Sequence, residues 1–553
     1  VRALVWCGLT ALLCACHKET SQATNRKPPV PSTPVPPPAA LVAEVSARGP
    51  DALWGRLQQG VAGPFAQLPQ TVGGALATVA RLDLTLAGEI DGAAPAYGVV
   101  AHPGATFGWV AAFKLRDLEH ARAALLEGKS PRFTGRPGDG ELTVLAAAKP
   151  DPRARYLVAL SPLGYLLVAR SEADLVTLAP YATRTLPARP PSPHALVVTA
   201  THEALAGAIH DQLDGAAADL RATASMLDAT LRQQHGGKAP DLGDPTAIIK
   251  ALDDWFHAKL ALLADLERAE LTLDAGDQDV DLELSLTPGK GVSSGAFASL
   301  PVGDAAPMLS LSADTEAALL LRDDAPSLAD GAKAAEERAV AAFKPALGAK
   351  DTAAIHGAFS AWAGSRGPWV TVAAELEGGP AVTIRTPTAN PDLAMQSVTD
   401  FVDLARLPAF RTMLDSHFAV QGISTATAAA TGTGSTSIAT FQRKKGAGEV
   451  AIAWAMTGDL LHVGAAASSA RALRASKDPT ALLGSDIGLA GKLGTLHNRV
   501  AFVFAGHSDL DHKGSGPRSS LVLGLGRDKG NGWAMLEVDD TIVREALGRW
   551  LEP

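Results

Sequence analysis

Apolar and polar residues alternate along several short stretches of the chain, and each alternation predicts a hairpin. In "AELTLDAGDQDVDLELSL", Val280, Leu282, Leu284 and Leu286 stand against Asp279, Asp281 and Glu283 around a turn containing Gly276. That is the period of a strand with one wet face. "YLVALSPLGYLLVARS" and "VAIAWAMTGDLLHVGA" align without a gap: an apolar strand, a turn with a glycine (Gly164, Gly458), then a strand carrying a Leu-Leu pair. Before each comes a strand ("FGWVAAFKL", "PAVTIRTP") and a helix opened by "RDLEHARAALL" or "NPDLAMQSVTDFVDLARL".

A second unit recurs. "LVAEVSARGPDAL", "LVVTATHEALAGAI" and "LSLSADTEAALLL" each read as a short strand, a polar helix start such as Asp314, and an alanine-rich helix. The final copy, from "RVAFVFAGHSDLDHKGSG" onward, keeps the strand and hairpin and replaces the helices with a polar loop. Between 201 and 268 the pattern is mostly helical, broken by "QQHGGKAPDLGDP", so two long helices are expected there.

Written as units, the order runs through once and then again, which predicts a tandem duplication. The expected fold class is α+β: two tandem related halves, 40–300 and 306–553, each of antiparallel sheets with long helices packed on one face. The strand, helix and glycine-turn pattern resembles that of uncharacterised bacterial envelope proteins with duplicated α+β modules, a resemblance that implies no activity.

Length agrees with more than one core, since 553 residues exceed the roughly 250–300 that a single core serves. A formal charge of −9 without a basic stripe leaves little to release counterions from a phosphate backbone, so nucleic acid is not expected as a partner. After Cys16 there is no cysteine, so the body carries neither a disulfide framework nor a thiolate metal site.

All three cysteines, Cys7, Cys14 and Cys16, stand in the first sixteen positions, behind and within an apolar run too short to span a bilayer. The run reads as the core of a secretory signal, residues 1–15. Leu13, Cys14, Ala15 and Cys16 resemble the lipobox of bacterial lipoproteins. The resemblance implies cleavage before Cys16 and its diacylglycerol modification, with palmitate-type chains. Because His17 is not aspartate, it further implies the outer membrane, facing the periplasm or the cell surface. An ordinary signal cleaved near Ala15 is the alternative. Residues 16–39 then form a tether, whose proline-rich 28–38 favours polyproline II at about 3.1 Å per residue.

Candidate chemistry is sparse. His202 and Glu203 open "HEALA", where Ala206 takes the place of the second zinc-binding histidine, so a helix start is the better account. The loop "GHSDLDHKG" brings His507, Asp509, Asp511 and His512 within six residues; these are the candidate metal ligands, against the commoner alternative of a solvated turn. Asp274, Asp277, Asp279 and Asp281 lack EF-hand spacing and read as a polar hairpin face. "GLGRDKGNG" misses the dinucleotide spacing and "TPGKGVSS" the Walker A spacing. Tryptophans 109, 255, 362, 369, 454 and 533 are expected in the core.

The resulting expectation is a lipid-anchored envelope protein, non-enzymatic and without a cofactor, that binds or scaffolds. Its partners are the membrane through the anchor, and an envelope protein or an apolar ligand such as a lipid. A metal-dependent envelope enzyme with its site near 507–512 is the alternative.

Overall fold

The structure, a computed structural model, describes residues 33–543 apart from 59–67, 80–83, 103–105, 128–132, 139–141, 148–155, 235–244, 277–278, 344–346, 377, 429–435, 445–447 and 509–518. Among the described residues there are twenty strands, in one antiparallel sheet, and sixteen α-helices. The expectation of two consecutive halves with sheets of their own is therefore corrected. Two compact units change over at Ser293/Ser294: one takes the chain as far as Gln212, Leu263–Ser293 and the stretch from Leu536, and the other takes Leu213–Leu262 and Ser294–Met535. The segments that leave chain order are the mostly helical Leu213–Leu262 and the stretch from Leu536, whereas the hairpins join strands that are neighbours in sequence.

In the first unit the strands are β1 (Leu41–Ala47), β2 (Ala96–Ala101), β3 (Gly108–Lys114), β4 (Phe133–Pro137), β5 (Thr143–Ala147), β6 (Leu157–Ser161), β7 (Tyr165–Ala169), β8 (Leu196–Thr201), β9 (Leu266–Ala275) and β10 (Asp279–Pro288). Hydrogen-bonded neighbours give the order 4-5-6-7-3-2-1-8-9-10. Gly164, at φ +76, turns β6 into β7, a left-handed position that favours glycine. The helix Leu118–Leu126 opens where Asp117 Oδ1 accepts the His120 amide at 2.9 Å.

Helices lie on both faces here, which corrects the expectation of helices on one face. Every residue of β7, "YLLVA", is buried. Leu166 and Val168 pack with Trp54, Val72, Leu76 and Leu125 on one side. Tyr165, Leu167 and Ala169 pack with Leu175, Leu178 and Leu186 on the other. An unbroken apolar strand needs cover on both faces. Ahead of β1, Val35 is held against this unit: its amide donates to Thr185 Oγ1 at 2.9 Å, and that hydroxyl donates to the Val35 carbonyl at 2.7 Å.

The second unit contains β11 (Ala317–Arg322), β12 (Trp369–Glu375), β13 (Ala381–Pro387), β14 (Val420–Ala428), β15 (Thr436–Arg443), β16 (Glu449–Thr457), β17 (Leu460–Ala466), β18 (Val500–Ser508), β19 (Ser519–Asp528) and most of β20 (Asn531–Asp539). Their order is 14-15-16-17-13-12-11-18-19-20. Leu461 and Val463 pack with Val398, Val402 and Trp454, while Ala466 on the opposite face meets Ala451, Ala453 and Ala472.

One element changes type. "AALLL", expected to continue a helix begun at Asp314, is β11, paired on both sides by β12 and β18. A short apolar run has no period of its own, and two flanking strands outweigh the helix propensity of alanine and leucine.

Candidate functional site

In the second unit a cleft of about 270 Å³ lies over β12 and β13, beneath the segment that follows the helix Ser469–Ala475. Its floor is set by strand period. Thr383 and Arg385 stand two residues apart on β13, so both side chains face the same way. Arg385 is directly opposite His462 of β17, and the two form a cross-strand pair.

Arg385 is only 4% exposed, and each of its three guanidinium nitrogens donates at least one hydrogen bond. Nε donates to His462 Nδ1 at 3.2 Å, one Nη donates to Ser310 Oγ at 3.1 Å and to the Ser310 carbonyl, and the other donates to Asp478 Oδ1 at 2.7 Å. A guanidinium can only donate, so the neutral His462 ring carries its proton on Nε2. That Nε2 is buried without a hydrogen bond, 3.6 Å from Asp478 Oδ1. Burial, reinforced by the Arg385 charge and only partly offset by Asp478, pushes the imidazole down to about 4. Burial also lowers the Arg385 guanidinium below the ordinary arginine value, opposed by Asp478.

The roof is held by local contacts. Ser468 Oγ accepts the Arg471 amide, and Glu449 accepts from the Ser469 amide at 2.7 Å and hydroxyl at 2.9 Å. Thr383 Oγ1 reaches the Ala475 carbonyl at 3.4 Å. Gly464, two residues beyond His462, lets the helix rest on β17: a Cβ there would fall 2.5 Å from the Ala472 carbonyl and 2.7 Å from the Ala475 Cβ. This close seat carries Arg474 and Asp478 over the cleft.

Around the cleft, Glu375 pairs with Arg471 at 3.6 Å, and Lys477 has a partner of its own. Asp314 and Arg474 are exposed at its edge, and neither side chain is paired with a described residue. Thr315 lines the same space at 1% exposure, with no hydrogen bond to its Oγ1 among the described residues.

The first unit has a cleft of about 260 Å³ floored by β1, β8 and β9. Glu44, buried at 9% exposure, accepts from Tyr181 Oη at 2.6 Å and from Arg189 at 2.9 Å. Burial alone would raise its carboxyl, but the bonds from Arg189 and Tyr181 hold it below the usual carboxylate range. Burial and Glu44 together push the Tyr181 phenol up to about 12.

Of the residues singled out in the sequence, His507 is on β18 with its side chain 4% exposed, Nε2 lying 3.9 Å from Asp486 Oδ2. Asp509, Asp511 and His512 lie outside the described residues, as does Cys16. Among the described residues no three His, Cys, Asp or Glu side chains converge as metal ligands would. His202 Nδ1 is 2.8 Å from the Leu266 carbonyl, and Asp274 holds the Ala195 amide at 2.8 Å and His194 at 2.7 Å. Trp454 and Trp533 are buried, and Trp109, Trp362 and Trp369 are packed against core clusters.

The sequence reading missed Arg385, His462 and Asp478. Two signals were present: an arginine on the buried-face register of "PAVTIRTP", and a histidine inside the apolar run "LLHVGA". Charged groups at core positions are seldom tolerated unless paired. Comparison with protein-family models, with curated proteins and with solved structures returns no match.

Proposed function

We propose that the chain is a lipid-anchored cell-envelope protein, attached through Cys16, whose body binds a small polar ligand without transforming it. The observation that supports binding is the cleft over β12 and β13. Its buried Arg385 is neutralised internally, while Asp314 and Arg474 line the same space unpaired among the described residues. Polar groups on a lining that no described residue satisfies are what a pocket uses to orient a ligand. A lining of this charge argues for a polar ligand over the apolar one considered from sequence. The anchor is supported by the residues around Cys16, and two or more acyl chains at about 0.8 kcal/mol per buried methylene are enough for stable attachment.

Native mass spectrometry of the full protein, purified from membranes, tests the binding. A small polar adduct that is lost in Arg474→Gln is the expected result. A clean unliganded mass over repeated preparations, together with no thermal shift from a library of small polar metabolites, would overturn it. Labelling with palmitate tests the anchor: incorporation should vanish in Cys16→Ala, and an unlabelled parent protein would refute lipid attachment.

A further inference from the structure

The charges around the cleft can be followed one at a time. Arg385 is matched by Asp478, Glu375 by Arg471, and Lys477 has a partner of its own. What remains, among the described residues, is one carboxylate, Asp314, and one guanidinium, Arg474, both exposed on the lining of the same cleft. The uncommitted charge is thus one of each sign, and a ligand that matches it carries one of each as well. A volume of about 270 Å³ sets the size at that of a small molecule.

We propose that the cleft binds a small zwitterion, a free amino acid or a short peptide, with its carboxylate at Arg474 and its ammonium at Asp314. This rests on the binding reading above and adds the ligand's chemistry to it. Asp314 stands in an irregular turn before β11, and Arg474 on the last turn of the helix seated on Gly464. Among the described residues, neither side chain has an ion pair to break before it engages. Arg385 acts beneath them as a positioning residue: through Asp478 it holds the segment after the helix over the sheet.

The test is isothermal titration of the full protein in detergent with L-alanine and L-alanyl-L-alanine, their N-acetyl forms, which lack the ammonium, and their C-terminal amides, which lack the carboxylate. Removing either charge from the ligand should weaken binding about tenfold, the worth of one charge-assisted hydrogen bond. In Asp314→Asn the penalty for N-acetylation should disappear while that for amidation stays, and in Arg474→Gln the reverse. Both residues are exposed, so unchanged circular dichroism should accompany both variants. Equal binding of all three forms, penalties that the variants leave in place, or no binding of the unmodified compounds would each overturn the zwitterion. A singly charged polar metabolite that binds, and is lost in Arg474→Gln, would do so while leaving the binding function intact; a chain that takes up no polar compound at all would sink both.

Discussion

The buried imidazole of His462 should make the second unit acid-sensitive in a window that starts well above the carboxylates. Its ring is held neutral by burial and by the Arg385 guanidinium on β13, with Asp478 from the segment after the helix Ser469–Ala475 as the opposing charge. In the folded protein it takes its proton only near 4, against 6.5 in the unfolded chain. Above 6.5 neither state binds that proton and stability is complete. As pH falls from 6.5 toward 4 the unfolded chain binds it and the folded chain does not, so stability declines; below 4 both are protonated and the decline ends. At about 1.4 kcal/mol per pKa unit, a span of about 2.5 units gives a loss of about 3 kcal/mol, a large part of a domain's total stability of about 5–15 kcal/mol. The perturbation is His462→Asn, which leaves an acceptor near the place of Nδ1 for the Arg385 Nε–H and removes the titration. Denaturant melts followed by tryptophan fluorescence at pH 7.5, 6, 5 and 4.5 should show the parent losing about 2–3 kcal/mol more than the variant over that range, although the variant starts lower at pH 7.5. In parallel, one imidazole carbon resonance should stay fixed until below pH 5 and be absent from the variant. Parallel pH profiles in the two proteins, or every histidine titrating near 6.5, would refute the placement of this ring.

Two further outcomes follow from the packing. Gly464→Ala puts a Cβ against the Ala472 carbonyl and the Ser476 amide nitrogen, backbone atoms that cannot swing aside, so a loss of about 1–3 kcal/mol is expected, together with weaker ligand binding as the helix lifts from β17; unchanged melting would contradict that seat. Glu44→Gln removes the charge that meets Arg189 and Tyr181, and because Arg189 is half exposed the expected cost is only about 1–2 kcal/mol. With the Glu44 carboxyl depressed in the fold, its contribution is present above the usual carboxylate range and lost as pH falls through it, so the parent and variant melts should converge in acid.

The hairpins were legible because each is written locally: alternation names the strands, and Gly164 and Gly458, both at positive φ, name the turns. Helix starts were legible for the same reason at Asp117 and Asn390, whose side chains cap the helices that follow. What lay beyond local rules was which face of a strand is covered and by what. "YLLVA" shows by its unbroken apolar run that both faces are buried, but the helices that cover the second face are not named by the strand itself. "AALLL" could be told from a helix only by the strands that would flank it, and those are distant in the chain.

The candidate site is hidden more deeply, and the reason is physical. Arg385, His462 and Asp478 are far apart in sequence and meet only through the register of β13 with β17 and the seat of one short helix on Gly464. No spacing rule connects them. What a sequence does carry is the anomaly of each alone: an arginine on a buried register and a histidine within an apolar run both need a partner, because an unpaired charge in that position costs far more than a strand gains by holding it. The two anomalies fall on adjacent strands, so each satisfies the other in part, and the remaining charge draws Asp478 down from the roof. The same pairing that lets these groups be buried fixes the segment that shapes the cleft, and among the described residues it leaves Asp314 and Arg474 as the unpaired charges on the lining.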